Sequence, residues 1–250
     1  MNAWVPLIKK EFLEDLLAMR GILLLVVTTV ILSMFSILLV SNTELSLLDN
    51  AQAVYMMSGI VITMASLVAI IRGSDGFAGE RDRKTLEILM LTPATGQELA
   101  FTKLMGILFS WLILLVLSIP YLWAIGNLGQ NLWPCIKYLS IVGTLLVLIF
   151  GGLALILSAR MKSFKNVLLV NLIVFLLSGS PILLGPSLRQ TAVGQVIDLI
   201  NPLANALNTL DSVVIDGQGI TFQLLRLTLL IWYSFIVFWF LYKMTRNIEL

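Results

Sequence analysis

Six apolar runs, at 21–41, 53–71, 99–125, 138–159, 167–185 and 222–242, constrain this chain more than anything else in it. Each is close to the roughly 20 residues that an α-helix needs to cross about 30 Å of hydrocarbon. Backbone N–H and C=O groups find no water inside a bilayer, so the runs read as helices, and none shows the alternation of a transmembrane barrel. Composition agrees: hydrophobic residues make up 59% and charged residues 12%, with a mean hydropathy of +0.99, more than a soluble core requires. The fold class expected is all-α and polytopic in the cell (inner) membrane, a single transmembrane domain over 1–250.

Orientation follows from the cations between the runs. Lys9, Lys10, Arg20, Arg72, Arg81, Arg83, Lys84, Lys103, Arg160, Lys162, Lys165, Lys243 and Arg246, thirteen of the sixteen, fall on one side, and only Lys137, Arg189 and Arg226 on the other. The positive-inside rule puts the first side, and with it both termini, in the cytoplasm. The third run is overlong, so its first turns around Lys103 are expected to project into the cytoplasm, and Pro120 should kink it. Residues 4–20 read as an interfacial helix, with Ile8, Phe12, Leu16 and Met19 on one face and Lys10, Glu11, Glu14 and Asp15 on the other. The acids there, and the length of the next apolar run, argue against a cleaved signal peptide.

Several classes are excluded by what is missing. With no histidine and one cysteine, Cys135, neither an intrachain disulfide nor a His- or Cys-based metal site is available. The net charge of +2 does not suggest nucleic acid. No Asp or Glu lies in the middle of a run, whereas ion-driven carriers usually need buried carboxylates. Gly73, Gly76 and Gly79 form neither a P-loop nor a dinucleotide fingerprint, so ATP would have to be split elsewhere.

The densest charge lies at 79–93, between the second and third runs, where Glu80, Arg81, Asp82, Arg83, Lys84 and Glu87 cluster and Leu86, Leu89 and Met90 share one helical face. Pro93 disfavours helical geometry at Thr92, and Thr95 to Glu98 has the form of a capping box that starts a new helix. A solvated loop accounts for the cations but not for interleaved acids in a segment with its own start and stop signals.

Residue by residue, this stretch resembles the cytoplasmic signature of the type-2 permease family of ATP-binding-cassette (ABC) exporters. Glu80-Arg81, Thr85-Leu86-Glu87, Leu89 and Thr92-Pro93 match the pattern Glu-Arg-Glu-x-Gly-Thr-Leu-Glu-x-Leu-Leu-x-Thr-Pro; Asp82 replaces its third residue, and Lys84 stands where the family has Gly. The resemblance implies that Glu80, Arg81, Asp82, Thr85, Leu86, Glu87, Leu89, Met90, Thr92 and Pro93, within 79–92, couple the chain to a cytoplasmic ABC ATPase. It also implies two ATPase copies holding ATP and Mg, a second permease copy or close relative, membrane lipid around both, and no cofactor in this chain. Residues 186–221, half apolar and broken at Asn201-Pro202, are expected as a re-entrant segment on the other side.

Weakly polar faces occur on three runs: Thr29 and Ser33 on the first, Thr63 and Ser66 on the second, Asn171 and Ser178 on the fifth. Such faces most often pack helices together; in the family these spans flank the route, which makes the six residues candidate route-lining groups. Gly151, Ala154 and Ser158 read as packing residues. Trp111, Trp123, Trp133, Trp232 and Trp239 are lipid-facing or interfacial by default, and Arg226 and Lys137 are interfacial anchors. An uncharged route suits a lipid, lipid-linked molecule, hydrophobic peptide or drug. The competing readings are a membrane anchor or sensor that moves no cargo, and an intramembrane enzyme, for which no motif-placed nucleophile exists.

Overall fold

The computed structural model describes residues 19–41, 50–86, 95–127, 129, 131–183 and 191–245. Six of its helices are long and apolar enough to cross a membrane: α1 (Met19–Ser41), α2 (Asn50–Ser74, continuing through a π-turn at Asp75–Gly79 to Asp82), α3 (Gly96–Gly126), α4 (Leu132–Arg160), α5 (Phe164–Gly179, which reaches membrane length by continuing into a 3-10 turn at Ser180–Leu183) and α8 (Ile220–Thr245). Two short helices, α6 (Ala192–Ile200) and α7 (Pro202–Val214), separate α5 from α8. The chain is thus an all-α, six-span membrane protein. The expected interfacial helix at 4–20 lies almost entirely outside the described residues.

Helix ends fall where the local chemistry puts them. The Thr95 hydroxyl accepts from the Glu98 N–H and the Glu98 carboxylate from the Thr95 N–H, at 3.3 and 2.8 Å, so the capping box opens α3. Asn201 closes α6 and opens α7, with Pro202 in the first turn of α7, as the Asn-Pro break requires.

The core is built around α4 packed on α2. A Cβ at Gly73 would lie 2.6 Å from both the Ala154 Cβ and the Gly151 carbonyl oxygen, so the two helices touch backbone to backbone. Gly152 seats Val237 of α8, and Gly143 seats the ring of Trp111 of α3, so α4 meets three neighbours at close range. Such small residues let helices approach where lipid competes with protein for apolar contact. The packing role expected for Gly151 and Ala154 is what the structure shows.

Trp111 departs from its expected lipid-facing position. It is buried, and its indole N–H donates to the Thr144 hydroxyl at 2.9 Å, a bond that a tryptophan inside a dry bundle needs. Trp123, Trp133, Trp232 and Trp239 are exposed on the bundle surface. Arg226 does more than anchor an interface, since its guanidinium donates to the Asn208 carbonyl, the Ser212 hydroxyl and the Gln223 side chain at 2.9–3.1 Å, tying α7 to α8. In α7, Leu203, Ala206, Leu210 and Val214 are buried, whereas Val193, Val196 and Ile200 of α6 point away from the rest of the chain.

Candidate functional site

The start of the charged stretch, Glu80–Asp82, is the tail of α2 itself, and residues 87–93 lie outside the described residues. At Asp75–Gly79 the helix widens to a π-turn, then regains α-geometry over Glu80–Asp82. The hydroxyl of Ser158, from the last turn of α4, is inserted there. It donates to the Ser74 carbonyl at 2.9 Å and accepts from the Ala78 N–H at 2.7 Å, bridging the two groups that an uninterrupted α-helix would bond to each other. The Phe77 N–H donates to the same oxygen at 2.8 Å. Ser158, Ser74, Phe77 and Ala78 are all fully buried.

Two consecutive signature residues then bind the ends of the neighbouring helices. Arg81 donates to the carbonyls of Ser158, Ala159 and Met161 at 3.1, 2.7 and 2.6 Å, satisfying acceptors that the last turn of α4 leaves open. Asp82 accepts from the Phe164 N–H at 3.0 Å, the first residue of α5. A cation at a helix C-terminus and an anion at a helix N-terminus both favour the helix dipoles. The Arg81-Asp82 pair therefore clamps the turn 161–163 between α4 and α5 onto the tail of α2.

Glu80 collects the other partners. Its carboxylate accepts from the Thr85 hydroxyl and lies 3.8 Å from the Lys103 ammonium and 3.7 Å from Arg83. Lys103 is buried at 7% exposure, its ammonium 5.9 Å from the centre of the Phe77 ring. Arg83 also pairs with Asp75 at 3.1–3.2 Å, and a Cβ at Gly79 would run into that Asp75 carboxylate.

The departure at Lys84 has a clear consequence. The Lys84 N–H donates to the Arg81 carbonyl and the Thr85 N–H to the Glu80 carbonyl, at 3.0 and 2.9 Å, the bond pair of a Schellman cap. Such a cap needs a left-handed residue, and Lys84 supplies it at φ 58°. Glycine adopts that conformation without the strain of roughly 1–2 kcal/mol that other residues bear. Lys84→Gly is accordingly expected to stabilise the protein by about 1 kcal/mol, read as a melting temperature raised by about 2–4 °C in detergent. An unchanged or lowered melting temperature would count against the left-handed geometry.

Of the coupling residues expected from the resemblance, Glu80, Arg81, Asp82, Thr85 and Leu86 are brought together here, while Glu87, Leu89, Met90, Thr92 and Pro93 lie outside the described residues. Leu86 is 7% exposed and belongs to this chain's own core. The candidate route residues are dispersed. Thr29 donates to the Leu25 carbonyl, Ser33 shares a 2.9 Å bond with the Tyr121 hydroxyl, and Asn171 donates to the Val167 carbonyl and the Ser74 hydroxyl. Ser66 and Ser178 are buried with no hydrogen-bond partner for their hydroxyls. Thr63 lines an apolar groove of about 280 Å³ with Phe35, Tyr55, Met56, Gly59, Ile60, Met64 and Leu207.

Ser158, Asp75 and Lys103 are members of this site that the sequence did not single out for it. Asp75 and Lys103 carried a signal, as charges at the margins of apolar runs. Ser158 carried none, because a serine at small-residue spacing looks the same whether it packs or inserts. Among the described residues, no group of three or more His, Cys, Asp or Glu could hold a metal ion.

Six membrane-length helices, with the charged tail of one clamped to the ends of two others, define a polytopic membrane protein whose polar site lies at one end of its helix bundle. The family described as ABC-2 family transporter protein matches residues 6–242. The chain belongs to that family and is a membrane permease of it. No curated protein matches the chain.

Proposed function

We propose that this permease exports an amphipathic or hydrophobic cargo, a lipid, lipid-linked molecule, peptide or drug, from the cytoplasm or inner leaflet, driven by a separate cytoplasmic ATPase that holds ATP and Mg. The clamp carries the reading: with Arg81 on the end of α4 and Asp82 on the start of α5, a push on the α2 tail moves three spans together. Glu80, Arg81, Asp82 and Thr85 then work inside the chain as transmission, and Leu86 as its anchor in the core. Leu89 and Met90 are left as the residues that meet the ATPase. In this reading the termini and the signature face the cytoplasm, as the distribution of Lys and Arg requires. Two permease copies and two ATPases make up the complex, and the apolar face of α6 lies in the outer leaflet, where an impermeant thiol reagent does not reach a cysteine at Val196.

The apolar groove beside Thr63 supports the cargo class, since it offers surface to a hydrocarbon and no fixed charge to an ion. The test is the purified complex in lipid vesicles. Two permeases per ATPase pair are expected by mass, with ATP turnover that rises with cargo and cargo that moves. In Glu80→Gln the ATPase should stay bound while cargo-coupled turnover falls, because the partners of Glu80 (Thr85, Arg83 and Lys103) all belong to this chain. Turnover indifferent to every cargo class tried, in an intact complex, would point instead to an anchor or sensor subunit.

A further inference from the structure

The π-turn is held by a residue of another helix, which makes it a device as well as a deformation. A single π-turn accommodates one extra residue in an α-helix, so everything after it is rotated by about 100° and shifted by about 1.5 Å from where a continuous helix would put it. The 75–79 turn therefore decides which way Glu80, Arg81 and Asp82 point. It is stabilised by the Ser158 hydroxyl, which replaces the direct Ala78 N–H to Ser74 carbonyl bond and also takes up the Phe77 N–H. Without that hydroxyl the two N–H groups are buried donors whose nearest remedy is to close the helix into α-register.

From this we infer that Ser158 is a positioning residue for coupling: its side chain holds the α2 tail in the register that lets Arg81 reach the α4 carbonyls and Asp82 the α5 amide. The inference rests on the coupling reading above and adds the element that aims the transmission. Neither the packing role expected for Ser158 nor membership of the family requires it. A serine that merely packed against α2 would tolerate alanine, since Gly151 and Ala154 on the same face carry no hydroxyl at all. What singles out Ser158 is that one oxygen serves three backbone groups of the turn at 2.7–2.9 Å, in a site with no solvent to replace it.

The experiment uses the permease–ATPase complex in vesicles, with Ser158→Ala, Ser158→Thr, and Ser158→Ala carrying a deletion of Ala78. Ser158→Ala should leave the ATPase bound but lower cargo moved per ATP by about tenfold, the scale expected from losing bonds to buried groups. Ser158→Thr keeps the oxygen and should recover most of the coupling. Deleting Ala78 removes the extra residue, so a relaxed, continuous helix again presents Glu80 to Asp82 at their native angle, and coupling should partly return. A purely structural role predicts the opposite, since a deletion in a buried helix then only adds damage. Spin labels on cysteines at the exposed positions Lys84 and Lys162, in a Cys135→Ser background, supply a readout that does not need transport. Their separation should change in Ser158→Ala and revert in the deletion variant. Wild-type separation and wild-type coupling in Ser158→Ala overturn the inference. Loss of the wild-type complex's own cargo response overturns the coupling reading instead, and the label distances still decide whether Ser158 sets the register.

Discussion

Gly73→Val is expected to leave almost no correctly folded permease. The Cβ it adds would sit 2.6 Å from the Gly151 carbonyl oxygen and 2.6 Å from the Ala154 Cβ, atoms fixed to the α4 backbone that no rotamer change can move. Helix propensity pulls the other way, since glycine is about 1 kcal/mol worse than alanine in a helix interior, but the strain of overpacking a close contact, typically about 1–3 kcal/mol, exceeds it when both neighbours are rigid. Valine adds two more methyl groups to the same space. Relief requires α2 to move off α4, which also withdraws Ser158 from the 75–79 turn and Arg81 from the α4 carbonyls. Size-exclusion profiles in mild detergent should show loss of the folded species for Gly73→Val and an intermediate loss for Gly73→Ala. Gly219→Ala, where a Cβ meets nothing within 4 Å, should behave as wild type. A Gly73→Val protein with a wild-type profile and melting temperature would mean that the close approach of the two helices is wrong.

The second large effect is expected at Arg81. Its guanidinium serves three carbonyls in the last turn of α4 and just beyond it, and hydrogen bonds from a charged donor are worth about 1.5–3 kcal/mol each where water is scarce. The side chain is partly open to solvent, so we take the low end for the whole fan, about 2 kcal/mol, and expect Arg81→Ala to melt about 5 °C lower. Transport should suffer more than stability. With the fan gone, α4 no longer follows the α2 tail, and cargo-coupled turnover should collapse while basal ATP hydrolysis by the bound ATPase continues. Arg81→Lys keeps the charge at the helix end but cannot reach three acceptors with a planar fork, so it should recover stability better than coupling. Melting curves and reconstituted turnover on the same preparations separate the two contributions. If Arg81→Ala transports as wild type, the clamp is not part of the transmission.

Much of this architecture is legible in the sequence, and the reason differs from element to element. The six spans were readable because an apolar run near 20 residues has few other uses, and the start of α3 because Thr95 and Glu98 satisfy each other's backbone without help from the rest of the fold. The break between α6 and α7 was readable because Pro202 lacks an N–H and restricts Asn201. The signature residues were readable as a pattern, but not their partners. Lys84 replacing glycine was visible as an anomaly, and only the left-handed φ at that residue says what the glycine would have been for.

By itself, then, the sequence determined the number and type of the spans, the two helix junctions with local chemistry, and the family to which the chain belongs. The tertiary structure alone decided that α4 is the hub, that Trp111 and Leu86 turn inward, that Lys103 is buried against Phe77 and Glu80, and that Ser158 enters the ladder of α2. The physical reason is the solvent. In water, an apolar stripe marks the buried face of a helix; in lipid the outside is as apolar as the core, so composition around a span no longer says which side meets protein. Local capping survives that ambiguity because its partners lie within one turn. A bond such as Ser158 to Ser74, 84 positions apart, depends on which helix α4 packs against and at what depth, and only the assembled bundle sets both.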